Sequence, residues 1–266
     1  MKKNLLSLTL LLVVATLSSC GEYQKVLKSQ DLSYKYDMAV KYYEAKQYNK
    51  AYPLFDELLT LNRGTARAQE VYYFYCMTLY GQKDYILAQY HFKTFSKTFP
   101  RHPKAEEAAY MSAFCLYLDA PSSSLDPAAI YKAIDELQLF INTNASSPYM
   151  AQCNAYIDEL RERLEKKSFE IAKQYYKTQR YASAVVAFSN TLAEFPDTRF
   201  REEAMFYKLG AAFQLAQNSV SDKQLLRYKE ALTVYRDLMS LFPESVFSKD
   251  AERIKAKIDA YLQNPS

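Results

Sequence analysis

Glycine is nearly missing from this chain: four residues in 266, at positions 21, 64, 81 and 210. So few leave no G-x-G-x-x-G or P-loop, and little material for the tight turns of a β-rich fold. Tryptophan is absent and histidine occurs twice, as His91 and His102. Apart from Cys20 the cysteines are Cys76, Cys115 and Cys153, none in a C-x-x-C pair, which reads as small buried hydrophobes inside helical patterns. A zinc centre or catalytic cluster has almost nothing to be built from, so no metal, no cofactor and no enzyme activity is expected. Charge of one sign is lacking too. The formal net charge is +4, of which Lys2 and Lys3 supply two, and that is no basis for nucleic-acid binding.

What the chain does have is a recurring spacing: an alanine, an aromatic four residues on, and a Phe-Pro ending twelve residues after the alanine. It reads Ala88/Phe92/Phe99-Pro100, Ala184/Phe188/Phe195-Pro196 and Ala231/Tyr235/Phe242-Pro243, with weaker copies at Ala51/Phe55 and Ala133/Leu137. Residues i and i+4 share one helix face, the alanine lets a neighbouring helix approach, and the proline ends the helix. The chain is therefore predicted to be all-α, an array of helical hairpins of the tetratricopeptide type, whose period is about 34 residues. Such α-solenoids usually present an extended surface to other proteins.

The N-terminus decides where that surface operates. Lys2 and Lys3 precede an apolar run from Leu5 to Leu17, long enough for a signal-peptide core and too short to span a bilayer. It ends in Leu17-Ser18-Ser19-Cys20, a pattern similar to the bacterial lipobox, in which cleavage precedes the cysteine and the new N-terminus is lipidated. The competing reading is a buried cysteine after an ordinary signal. On the lipobox reading, residues 1–19 are the signal peptide and Cys20 carries a covalent lipid that tethers a mature chain without a transmembrane helix. Gly21 and Glu22 follow, without the aspartate of the enterobacterial inner-membrane retention rule, so outer-membrane sorting is expected.

After a leader over residues 20–32, five hairpins are predicted: Ser33 to Asn62, Ala68 to Phe99, Lys104 to Thr143, Lys166 to Phe195, and Arg201 to Phe242. A helix from Ser248 to Gln263 caps the array, since repeat arrays need a polar-faced terminal helix. Repeats one to three form an N-terminal part over residues 33–145. Residues 146–266 hold a connecting helix over Tyr149 to Lys167, repeats four and five, and the cap. Extra residues are expected between the helices of repeat three, at Ala120–Pro127, and of repeat five, at Asn218–Asp222.

With each alanine numbered twenty, small residues fall at position eight (Ala39, Cys76, Ala113, Ala172, Gly210), and core residues at position eleven (Tyr42, Leu79, Leu116, Tyr175, Phe213). Positions five, nine and twelve form a stripe beside the core. In the first three repeats they are Tyr36/Val40/Tyr43, Tyr73/Met77/Tyr80 and Tyr110/Phe114/Tyr117; further on they become Phe169/Lys173/Tyr176 and Tyr207/Ala211/Gln214. A tyrosine ladder suits an extended peptide, because each rung offers a large apolar face, a hydroxyl and little rotamer entropy to lose. The same stripe also suits packing between repeats, and the pattern leaves both uses open.

Phe99-Pro100-Arg101-His102-Pro103 followed by Ala109-Tyr110-Met111, and Phe195-Pro196-Asp197-Thr198 after Tyr175-Tyr176 and Val185-Val186, resemble the BamD family of outer-membrane protein assembly factors. So do the lipobox, five repeats, the insertion in repeat three and the long helix before repeat four. The likeness covers essentially the whole mature chain; Leu61-Asn62-Arg63-Gly64 departs from it, where the family often has an aromatic-proline turn. The resemblance implies a non-enzymatic lipoprotein of the β-barrel assembly (BAM) machinery on the periplasmic face of the outer membrane. It also implies partners: unfolded outer-membrane proteins at the N-terminal repeats, and the periplasmic domains of a BamA-type insertase at the C-terminal ones. Arg199, Arg201, Glu202 and Glu203, at the handover from repeat four to five, suit polar contacts with a partner, but also read as a solvated helix start with acids favoured by the helix dipole. A tetratricopeptide lipoprotein serving peptidoglycan or polysaccharide machinery is the alternative. A cell-wall hydrolase would need a catalytic domain for which repeats and cap leave no chain.

Overall fold

A computed structural model describes residues 21–264, and among them every regular element is a helix. A short leader helix covers residues 21–28. The hairpins follow: α1 (Leu32–Glu44) with α2 (Tyr48–Leu61), α3 (Ala68–Gly81) with α4 (Tyr85–Thr98), and α5 (Ala105–Asp119) with α6 (Ala128–Thr143). Then come α7 (Met150–Lys177) with α8 (Tyr181–Glu194), α9 (Arg201–Gln217) with α10 (Ser221–Leu241), and the terminal α11 (Ser248–Gln263). The fold is a tetratricopeptide-type helical repeat. Cys20 and the signal-peptide reading lie outside the described residues.

The recurring spacing forms the core as the helix period requires. Ala51, Ala88, Ala133, Ala184 and Ala231 have no exposed surface, and neither do Phe55, Phe92 and Phe188. Position eight is closed in the same way by Ala39, Cys76, Ala113 and Ala172. Cys76, Cys115 and Cys153 are free, buried thiols; burial pushes Cys115 up to about 12 and Cys153 up to about 11, so neither is a thiolate at neutral pH.

Two turns recur. Within hairpins, Lys46, Lys83 and Gln179 each have φ near +60°. The left-handed residue lets the following amide reach back to the helix end, as in Gln47 N to Tyr42 O at 2.8 Å and Arg180 N to Tyr175 O at 2.9 Å. Between hairpins, the fourth residue after the helix end uses its side chain to accept the amide two residues on. Ser147 does so for Tyr149 at 3.2 Å, Thr198 for Phe200 at 3.2 Å and Ser245 for Phe247 at 3.1 Å. His102 fills this place through Nδ1, which accepts from the Lys104 amide at 3.1 Å; the proton is thereby assigned to Nε2. One histidine of the chain is thus a turn residue.

The insertion expected at Asn218–Asp222 is partly absorbed into longer helices: α9 has 17 residues and α10 has 21, against 14 in α3 and α4, and only three residues separate them. Likewise the connector and the first helix of repeat four are one 28-residue helix, α7. The described residues divide into two compact units: residues 21–120 with 128–157, and residues 121–127 with 158–264. The division falls inside α7, whereas the sequence pattern suggested residues 145/146. In the second unit, one apolar cluster joins Phe169, Ala172, Ala184, Phe188 and Ala204, and another joins Leu209, Phe213, Tyr228, Tyr235, Leu238 and Ile258.

Candidate peptide-binding stripe

The stripe of the first unit stands on α1, α3 and α5, whose helical period brings positions five, nine and twelve to one side. Tyr36 and Tyr110 are buried, while Val40, Tyr43, Tyr73, Met77, Tyr80, Phe114 and Tyr117 are half-buried. The rungs divide into two kinds.

Position-five tyrosines join one repeat to the next. Tyr73 Oη donates to Glu107 at 2.7 Å; Lys104 holds the other oxygen of that carboxylate at 2.6 Å, and its ammonium lies 5.6 Å from the Tyr73 ring centre. Burial pushes the Tyr73 hydroxyl pKa up, and the Glu107 hydrogen bond and charge raise it further. Burial alone would raise Glu107; the hydrogen bonds from Lys104 and Tyr73 and the charge of Lys104 outweigh it and hold the carboxyl below its usual range. Tyr36 has the same kind of neighbours, Glu70 and, 4.9 Å from its ring centre, Arg67, which donates to Ser33 Oγ at 3.4 Å; burial first, then Glu70, raise its pKa. Glu70 and Glu107 occupy one repeat position, and Arg67 and Lys104 each immediately precede their helix. The third copy changes partner: Tyr110 donates to Gln152 at 3.0 Å and stacks on Tyr149 at 4.1 Å.

Position-twelve tyrosines are packed by rings. Tyr43 meets Phe74 of the next repeat at 5.3 Å and Tyr48, the first residue of α2, at 5.8 Å. Tyr80 meets Tyr85 and Phe114 at 6.0 and 6.3 Å, and Tyr117 stacks on Tyr156 at 4.2 Å. Gly81 is required here: a Cβ at that position would stand 2.5 Å from the Tyr48 ring, so the absent side chain lets Tyr48 lie against the next repeat. The position-twelve rungs are thus held by neighbouring rings and stay half-buried. A sequence pattern could not separate the two kinds, because the partner of each hydroxyl comes from the following repeat.

In the second unit the stripe changes chemistry. Lys173 pairs with Glu203 at 2.8 Å, and its ammonium lies 5.2 Å and 4.9 Å from the Phe169 and Tyr207 ring centres. The Glu203 hydrogen bond raises the Lys173 pKa against the opposing effect of burial. At the start of α9, Glu202 accepts from Ser245 Oγ at 2.7 Å and from the Val246 amide at 3.0 Å, tying α9 to the turn before α11. Arg199 is exposed and lies 3.7 Å from Glu162.

Among the described residues, no group of three or more potential ligands is placed to hold a metal ion, and no helix is long and apolar enough to cross a membrane. No buried side-chain polar atom lacks a hydrogen-bond partner there.

Residues 28–226 match the family described as outer membrane lipoprotein, YfiO. The curated outer membrane protein assembly factor BamD of Neisseria meningitidis serogroup A is 26% identical, over 93% of this chain and 94% of its own. BamD of Neisseria gonorrhoeae is 25% identical over the same shares. BamD of Caulobacter vibrioides is 23% identical over 47% of this chain and 41% of its own. A match spanning four of the five hairpins and part of the fifth, with relatives aligned nearly end to end, places the fold and the repeat order in one lineage: the chain belongs to the YfiO/BamD family of outer membrane lipoproteins.

Proposed function

We propose that this chain is a lipid-anchored, non-enzymatic scaffold of the outer-membrane β-barrel assembly machinery. The observation that carries the reading is the nearly full-length likeness to proteins named as outer membrane protein assembly factors. Cys20 bears the lipid and holds the repeats at the periplasmic face of the outer membrane. The first unit receives the terminal segment of an unfolded outer-membrane protein, and the second docks on the periplasmic domains of a BamA-type insertase. Barrel strands alternate apolar and polar residues and carry aromatic girdles. Half-buried rings at Tyr43, Tyr80 and Tyr117 suit such a segment, whereas Tyr36 is buried and the hydroxyls of Tyr73 and Tyr110 are already engaged within the fold.

The test is affinity purification of the full-length lipidated protein from gently solubilised outer membranes, with Cys20→Ala as control. A barrel protein with periplasmic repeat domains is expected at equal stoichiometry. Peptidoglycan or polysaccharide enzymes in its place would overturn the reading in favour of another envelope adaptor. For the stripe, Tyr43→Ala/Tyr80→Ala/Tyr117→Ala is expected to weaken binding of a barrel-protein C-terminal peptide at least tenfold while preserving helicity and insertase recovery. Unchanged peptide affinity would remove the stripe from the site.

A further inference from the structure

The leader helix is locked to the first hairpin. Val26 has no exposed surface, and Lys35, with 1% exposure, donates from Nζ to the Leu27 carbonyl at 3.1 Å and to Glu57 at 2.6 Å. The buried lysine thus caps the end of the leader and ties it to both α1 and α2. At the other end, Tyr23 meets Tyr42 at 5.6 Å between ring centres and donates to the Lys50 carbonyl at 3.3 Å. Leu27 lies by the start of α1 and Tyr23 by its end, so the leader runs antiparallel to α1. At about 1.5 Å of rise per residue, the leader begins beside the α1–α2 turn, with Cys20 one peptide bond before Gly21.

Three lysines and no carboxylate line the groove at that turn. Lys46, Lys50 and Lys83 line one shallow groove with Gln47, Tyr48, Asn49, Gly81 and Gln82, across the turns of the first two hairpins. Lys46 and Lys83 are exposed, each at the left-handed turn residue. Gln82 donates to Asn49 at 3.1 Å, joining the two turns. Carboxylates flank the groove at Glu44 and Asp84, and at Glu22 on the leader. Asp84 is engaged at the start of α4, where it accepts the Leu87 amide at 3.2 Å. The opposite edge, with the turns between hairpins, lies a helix length away, about 20 Å for 14 residues.

We infer that the hairpin-turn edge of the first two repeats is a membrane-contact surface, on which the exposed Lys46 and Lys83 meet the anionic phospholipid headgroups of the leaflet that holds the Cys20 lipid. This rests on the lipid anchor of the proposed function. A tether packed against the fold leaves little slack, so the edge from which it emerges stays near the bilayer. Lysines within a Debye length of an anionic surface are drawn to it. The contact fixes which edge of the first unit faces the membrane.

The test uses the full lipidated chain in vesicles of phosphatidylethanolamine and phosphatidylglycerol carrying a headgroup-bound acceptor dye. Donor dyes go on Gln47→Cys at the hairpin-turn edge and, in a second protein, on Arg101→Cys at the opposite one. Energy transfer is expected to be several-fold stronger from position 47. Lys46→Glu/Lys83→Glu, or Lys35→Met to release the leader, should bring the two values together. Equal transfer from both positions, or stronger transfer from position 101, in protein whose Cys20 lipid is verified by mass spectrometry would overturn the orientation and leave the anchor standing. Stronger transfer from position 47 that ignores charge reversal and salt would overturn the headgroup contact. An unlipidated Cys20 would instead remove the anchor reading, and with it this surface.

Discussion

The first unit joins its repeats through tyrosines set against glutamates, Tyr73 with Glu107 and Tyr36 with Glu70, each with a cation over the ring. The second joins the fourth repeat to the fifth through an ammonium, Lys173 to Glu203, which lies over Phe169 and Tyr207. Ring, acid and cation are present in both units with the connections exchanged. In the first the ring is the donor and the cation supports it. In the second the cation is the donor and the rings support it. The same helical geometry thus accepts either linkage, and the choice sets what faces outward: half-buried aromatic rungs in one unit, a charged pair in the other. A hydrogen-bonded tyrosine is screened by its own burial, whereas a pair such as Lys173–Glu203, partly exposed at both ends, weakens with salt.

The difference should be confined to the joints. Phe92 and Phe188 hold one repeat position, and neither has exposed surface. Phe92→Ala and Phe188→Ala should each cost about 3–5 kcal/mol in urea unfolding; a large inequality would mean that the cores differ as well. Next in size are the linkages. A double-mutant cycle of Tyr73→Phe with Glu107→Gln should show coupling of about 1–2 kcal/mol that changes little between low and high salt. The cycle of Lys173→Met with Glu203→Gln should show about 1 kcal/mol or less, shrinking as salt rises. Salt responses of equal size would erase the contrast.

Acid should separate the units in the same way. The folded-state pKa of Glu107 lies below its usual 4.5, so its stabilisation is complete above that value and is lost as pH falls through the lowered one. Burial likewise lowers His91 from 6.5, and a buried neutral imidazole costs stability as pH drops below its ordinary pKa. Both residues lie in the first unit. Lys173, raised above 10.5, contributes at neutral pH and is lost as pH rises through that raised value. Fluorescence-detected unfolding from pH 7 to pH 4 should show the first unit loosening earlier, and Glu107→Gln should flatten its limb below pH 4.5. The smallest effect is at the turns. Lys46→Gly, Lys83→Gly and Gln179→Gly should each stabilise by about 0.5–1 kcal/mol, because a glycine takes positive φ without steric cost.

The hairpins were legible in sequence nearly to the residue. Ala184 with Phe188 and Phe195-Pro196 marks a helix that ends at Glu194, because small-large spacing at i, i+4 and a proline stop are local signals. The capping helix from Ser248 to Gln263 was equally plain. Of the residues expected between the helices of repeat five, Asn218, Ser219 and Val220 are there, while Ser221 and Asp222 open α10, because a turn-like composition also suits a helix start. The tyrosine stripe was visible as a stripe and ambiguous as a use.

Sequence by itself determined the helical period, the closing small residues and the repeat order, since each depends on residues within one or two turns of each other. Tertiary structure alone decided which tyrosines are joints and which are rungs, that His102 is a turn residue, and that a buried Lys35 fastens the leader. Those outcomes turn on partners brought together from separate helices or held by turn geometry: Tyr73 with Glu107, His102 with the Lys104 amide, Lys35 with Leu27 and Glu57. A hydrogen bond has a range of about 3 Å, and only the packed chain brings such groups within it.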